Sequence, residues 1–140
     1  MEAARDSKHI LVVEDDQAIN DMLQMALELE GYRVTSVTLG NQALDTLISA
    51  ALSQEQGAQI DLILLDLQLP DMEGTEIVSP FQELVQQVPL VIVISARPRA
   101  EVEQAAAGLR AVSFLHKPFT VPDLLARINE VFATRAIANE

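Results

Sequence analysis

Four short apolar runs mark the chain, and each ends on a polar residue. His9-Ile10-Leu11-Val12-Val13 leads into Glu14 and Asp15, and Ile60-Asp61-Leu62-Ile63-Leu64-Leu65 into Asp66. Leu90-Val91-Ile92-Val93-Ile94 ends at Ser95, and Ala111-Val112-Ser113-Phe114-Leu115-His116 at Lys117-Pro118. Runs this apolar read as strands covered on both faces, the pattern of a parallel sheet. Residues 32 to 37 add an alternating segment, Tyr-Arg-Val-Thr-Ser-Val. Helical spacing fills the gaps. Apolar positions 19, 22, 23, 26 and 27 predict a helix over 17 to 30, started by Asp16 and stopped by Gly31. Residues 41 to 52 place Ala43, Leu44, Leu47, Ile48 and Ala51 on one face. Residues 98 to 108 and Thr120 to Arg135 read as two further helices, the last with Leu124, Leu125, Ile128, Val131 and Phe132 on its apolar side.

The segment after Asp66 is harder to read. Leu69-Pro70-Asp71-Met72-Glu73-Gly74 is rich in turn formers, and Pro80 sits in the helical region behind it. A proline inside a helix removes a hydrogen bond and costs about 3 kcal/mol, so Ser79-Pro80-Phe81-Gln82 is expected to open a restarted helix running to about Gln87. Five strands then alternate with five helices, which predicts right-handed βαβ units and a doubly wound α/β domain. Ser53 to Gln59 is polar and reads as a surface loop.

Composition narrows the function classes. At 140 residues the chain suits one domain, and with 49% hydrophobic but only 4% aromatic residues its core must be aliphatic. The net charge of -12 speaks against unspecific binding to nucleic acid or anionic membrane, both of which need clustered Lys and Arg. A partner with a basic face fits better. There is no cysteine, no apolar run approaching ~20 residues and no apolar leader after Met1, so a cytoplasmic protein is expected.

The polar residues closing the strands form the candidate site. In an open α/β sheet the carboxyl ends of the strands line the ligand crevice, so Glu14, Asp15, Asp66, Ser95 and Lys117 share one address. Two carboxylates ~5 Å apart repel by about 3 kcal/mol at an effective dielectric of ~20, a cost that fold stability alone does not select. A hard divalent cation relieves it, and Mg²⁺ takes carboxylates, a carbonyl and waters while leaving room for phosphate oxygens. A carboxylate is also a nucleophile toward phosphorus, and transfer to it needs mainly positioning and charge neutralisation.

Ile-Leu-Val-Val-Glu14-Asp15-Asp16, Leu-Leu-Asp66-Leu-Gln-Leu-Pro70-Asp-Met-Glu-Gly74, Val-Ile-Ser95-Ala96 and Phe114-Leu-His-Lys117-Pro118-Phe119 resemble, in that order, the receiver domain of two-component response regulators. The resemblance spans nearly the whole chain. It implies a flavodoxin-like sheet of five parallel strands in the order 2-1-3-4-5, with residues 1–8 as an extension, 9–136 as the receiver domain and 137–140 as a tail. It makes Asp66 the phosphoacceptor, and it assigns Mg²⁺ to Glu14, Asp15, Asp66 and the backbone carbonyl of Gln68. Ser95 and Phe114 match the family's switch hydroxyl and aromatic, and Lys117, with an expected cis bond to Pro118, its lysine. Gln68, Ala96 and Arg97 fall at positions flanking the phosphoryl group. The implied partners are a histidine kinase or phosphotransfer protein and a downstream protein or output domain met by the fourth helix, fifth strand and fifth helix, with a phosphorylation-dependent homodimer as a further option. With the last helix ending near Glu140, such a protein either signals by protein contact or is a receiver cut from a longer regulator.

Two departures stand out. Arg110 occupies a place where relatives often carry glycine, which questions the turn into the last strand, and Pro80 questions the third helix. They keep in play a receiver fold that serves as an interaction or dimerisation module and is not regulated by phosphorylation. A Mg²⁺-dependent phosphohydrolase is disfavoured, because it needs a second aspartate where this chain has Gln68. Asp16 is read as a helix cap, and His9 and His116 as incidental surface residues.

Overall fold

A computed structural model describes residues 7–55, 57–84 and 88–138, so residues 1–6 of the expected extension and 139–140 of the tail lie outside the described residues. Its elements alternate as expected: β1 (His9–Val13), α1 (Gln17–Leu29), β2 (Arg33–Val37), α2 (Gly40–Leu52), β3 (Leu62–Asp66), α3 (Thr75–Leu84), β4 (Leu90–Ser95), α4 (Arg99–Gly108), β5 (Ser113–His116) and α5 (Val121–Ala138). All strand pairs are parallel and the order is β2-β1-β3-β4-β5.

Period-two alternation divides the apolar runs between two cores. Leu11, Val13, Ile63, Leu65, Val91 and Val93 point to one face, where Ala43 and Leu47 of α2, Ile77, Val78 and Phe81 of α3, and Val102 and Ala106 of α4 cover them. Ile10, Val12, Leu62, Leu64, Ile92 and Ile94 point to the other, under Leu23 and Leu27 of α1 and Leu124, Ile128 and Val131 of α5. β3 is buried along its whole length and carries Asp66 at its carboxyl end. The site is thus anchored on the best-packed strand of the sheet.

Pro80 does not restart a helix. It lies within the continuous α3, and the expected end near Gln87 lies outside the described residues. Ile77, Val78 and Phe81 all reach the core from one helical face, and burying three large side chains, at roughly 1.5 to 3 kcal/mol each, outweighs one missing backbone bond. The turn at Arg110 is also kept. Arg110 has φ +57, the left-handed region usually left to glycine. Its N–H donates to the Ala107 carbonyl at 3.1 Å and that of Ala111 to the Ala106 carbonyl at 2.8 Å, the two bonds of a Schellman helix end. Gly31 closes α1 with the same pair of bonds.

His9 is a correction. It is half-buried rather than a surface residue: Nε2 lies 2.8 Å from Thr35 Oγ1, its backbone N–H donates to Asp61 Oδ2, and burial pushes the imidazole pKa down. It sits at the amino end of β1, away from the strand ends that carry the site. His116 is exposed as expected, yet its Nε2 contacts the Arg97 carbonyl at 2.7 Å.

Candidate active site

Carboxylate oxygens of Glu14, Asp15 and Asp66 lie within 4.8 Å of one another at the carboxyl ends of β1 and β3. These residues are paired by register. Val13 stands opposite Leu65, so the residues that follow each strand emerge side by side. Glu14 is fully buried and Asp66 nearly so, whereas Asp15 is exposed and opens the cluster to solvent. Asp16 is set apart from it, accepting the Ile19 N–H at 3.0 Å as the cap of α1.

Lys117 follows β5 and bridges two of the carboxylates. Its Nζ stands 2.7 Å from Glu14 Oε1 and 3.3 Å from Asp66 Oδ2. At the shorter distance the ammonium compensates the buried Glu14 charge directly. Burial pushes the Glu14 carboxyl up to about 7, against the pull of Lys117 and of the Asp16 N–H on Oε2. Burial also opposes the Lys117 charge, but the two carboxylates outweigh it and raise its pKa. The Lys117-Pro118 peptide is cis. A hard oxygen set of two buried carboxylates and one that faces solvent suits a small divalent cation.

Ser95 closes the group on the β4 side. It is fully buried, and its Oγ accepts the Arg97 N–H at 3.1 Å. Because it accepts there, its own proton remains available. Gln68 donates its backbone N–H to Asp66 Oδ1 at 3.2 Å and pairs with Glu73 in a one-bridge ribbon. Gly74 closes that ribbon against the site, where a Cβ would stand 2.6 Å from the Asp66 carbonyl oxygen. Phe114 is half-buried on β5, with the Arg99 guanidinium 5.4 Å from its ring centroid.

Two supporting residues escaped the sequence reading. Asn20 is buried in α1, and its Nδ2 donates to the carbonyls of Glu14 and Val37, both at 3.0 Å, pinning the acidic loop to the end of β2. Its signal was a polar residue three and seven positions before the buried Leu23 and Leu27. Asp71 caps α2 from a distance, its oxygens accepting the N–H groups of Gly40 and Asn41 at 2.8 and 2.9 Å. These bonds pull its carboxyl below the usual range, and they replace a cap that Leu39 has no oxygen to supply. Nothing local in the sequence marks that pairing.

The response regulator receiver domain model matches residues 10–129. The chain belongs to that family. The receiver domain is 31% identical over 131 residues to the response regulator SaeR of Staphylococcus epidermidis, covering 94% of this chain and 53% of that protein. It is 36% identical over 120 residues to the uncharacterised transcriptional regulatory protein YkoG of Bacillus subtilis, covering 86% of this chain and 49% of that one. It therefore spans about half the length of the curated relatives it matches. Among solved structures, it is similar to a CheY-like receiver domain protein from Methanospirillum hungatei, with a TM-score of 0.80, 28% identity, and 95% and 99% of the two chains covered. The non-phosphorylated HemR receiver domain from Leptospira biflexa matches with a TM-score of 0.74 at 28% identity, over 89% of this chain and 94% of that one. Receiver domains belong to two-component signalling and are not enzymes of the ordinary kind. No helix among the described residues of this one is long and apolar enough to cross a membrane.

Proposed function

We propose that this receiver domain is a cytoplasmic switch in which Asp66 accepts a phosphoryl group from a phosphohistidine on a kinase or phosphotransfer protein. The observation that carries the reading is the asymmetry around Asp66: its Oδ2 faces the Lys117 ammonium at 3.3 Å, and two further carboxylates stand against it with no purpose in packing. An Asp66 oxygen attacks phosphorus, the P–N bond to the donor imidazole breaks, and the imidazole leaves with that electron pair and takes up a proton. Lys117 neutralises charge on a transferring oxygen, and Ser95 donates its hydroxyl proton to another. Glu14, Asp15, Asp66 and the Gln68 carbonyl hold Mg²⁺, which when bound offsets the negative charge gathered on the phosphoryl oxygens. Gln68, Ala96 and Arg97 line the approach and set how fast water removes the group.

A hydrogen bond to a charged group is worth about 1.5 to 3 kcal/mol, enough to shift a two-state equilibrium by one to two decades. The Ser95 loop and Phe114 carry that shift to the face of α4, β5 and α5, where a downstream protein, an output domain or a second copy binds. An apolar groove of about 420 Å³ lined by Ile19, Met22, Ala96, Lys117, Pro118 and Phe119 lies beside the site and gives the donor protein a place to dock. Residues 9–136 form the functional unit. Pro80 and Arg110, the features that spoke for a receiver fold without phosphorylation, leave the acidic cluster and Lys117 intact.

Incubation with Mg²⁺ and acetyl phosphate, read by intact-mass spectrometry, tests the reading. One base-labile phosphoryl group is expected on the wild type and none on Asp66→Asn. A wild type that takes up nothing overturns the switch, and an adduct that survives Asp66→Asn overturns the site.

A further inference from the structure

One ion pair joins the two loops that flank Asp66. Arg97 Nη2 donates to both carboxylate oxygens of Glu73, at 2.6 and 2.9 Å. Each end is tied to a group of the site. Glu73 pairs with Gln68 across the short ribbon, its N–H donates to Glu76 Oε1 at 2.9 Å, and it precedes Gly74, which rests on the Asp66 carbonyl. Arg97 gives its N–H to Ser95 Oγ, and its carbonyl is held by His116. The loop bearing the proposed metal-binding carbonyl and the loop bearing the hydroxyl are thereby joined by side chains alone.

We propose that the Glu73–Arg97 pair is a strap that holds the Ser95 loop in its resting position, which makes Glu73 a positioning residue for phosphoryl uptake at Asp66. The inference rests on the reading of Asp66 as phosphoacceptor. For Ser95 to turn its proton onto a phosphoryl oxygen its hydroxyl must move, and the Arg97 N–H bonded to it moves as well. The strap resists that motion by fixing the guanidinium to the opposite loop.

The strap is part-exposed, 23% at Arg97 and 51% at Glu73, so its hold is small and sensitive to salt. Glu73→Gln is expected to take up phosphoryl from acetyl phosphate about threefold faster than wild type at low salt, in the range set by exposed ion pairs. The ratio of the two rates closes toward one as salt rises. Glu73→Asp, which keeps the charge on that loop and leaves Arg97 untouched, holds the rate nearer wild type than Glu73→Gln does, although Gln is the closer match in bulk. Equal rates for wild type and Glu73→Gln at all salt concentrations overturn the strap while leaving Asp66 as acceptor. A wild type that forms no adduct overturns the acceptor reading and the strap with it.

Discussion

Lys117 reaches Glu14 more closely than it reaches Asp66, 2.7 against 3.3 Å, although Asp66 is the residue proposed to react. The lysine is thus held ready by the neighbour. Glu14 is fully buried, and without a cation beside it its charge would stand uncompensated in the core. Removing one partner of a buried pair costs on the order of 3 kcal/mol. Lys117→Met is accordingly expected to lose stability in urea unfolding mainly above pH 7, where Glu14 is charged in the wild type, approaching that magnitude at alkaline pH. The loss shrinks below pH 7, where Glu14 carries its proton, and added Mg²⁺ recovers part of it.

The same burial sets the pH dependence of cation binding. A carboxyl raised from 4.5 to about 7 binds its proton more tightly in the folded than in the unfolded chain. Its contribution to stability therefore falls as pH rises through that window, and a cation must displace the proton until pH passes 7. Mg²⁺ affinity of the wild type, measured by calorimetry, is expected to strengthen from pH 5.5 to 7.5. In Glu14→Gln the affinity is weaker throughout and the dependence flatter; an equally steep profile would locate the titrating group elsewhere.

Gly74 is required by space. A Cβ there meets the Asp66 carbonyl oxygen at 2.6 Å and Leu67 Cα at 3.0 Å, both backbone atoms that cannot swing aside. Gly74→Ala is expected to cost on the order of 1 to 3 kcal/mol and to lower the adduct yield, since the push falls on the residue that carries the phosphoryl group. Gly108→Ala provides the control. Nothing lies within 4 Å of a Cβ at Gly108, so alanine there raises the melting temperature, by up to about 1 kcal/mol of stability.

Arg110 bears a backbone conformation that costs an ordinary residue about 1 kcal/mol or more. Arg110→Gly removes that strain and gives back part of it as unfolded-chain entropy, for a net gain of about 0.5 kcal/mol in thermal unfolding. Arg110→Val, branched at Cβ, moves the midpoint the other way.

The strand runs and the residues that end them were legible in the sequence because parallel strands buried on both faces have a composition of their own. Helix limits fell within a residue or two for α1, α2 and α4, where Asp16, Gly31 and Pro98 punctuate the chain. At Pro80 local propensity predicts a break that the core entered by Ile77, Val78 and Phe81 overrides. Helical spacing assigns Met22 to the apolar face of α1, yet Met22 is exposed and Asn20 takes a buried position.

By itself, then, the sequence determined the order of strands and helices and gathered Glu14, Asp15, Asp66, Ser95 and Lys117 at one edge, because strand ends and βαβ handedness are local consequences of residue pattern. Only the tertiary structure decided which of those groups touch. That Lys117 pairs first with Glu14, that Asn20 pins the acidic loop, that Asp71 caps α2 from about thirty residues away, and that Glu73 clasps Arg97 all depend on register and on distances between segments far apart in the chain. Such contacts leave no periodic trace in a sequence, since hydrogen bonds and ion pairs need only one partner at one place, and the fold alone chooses it.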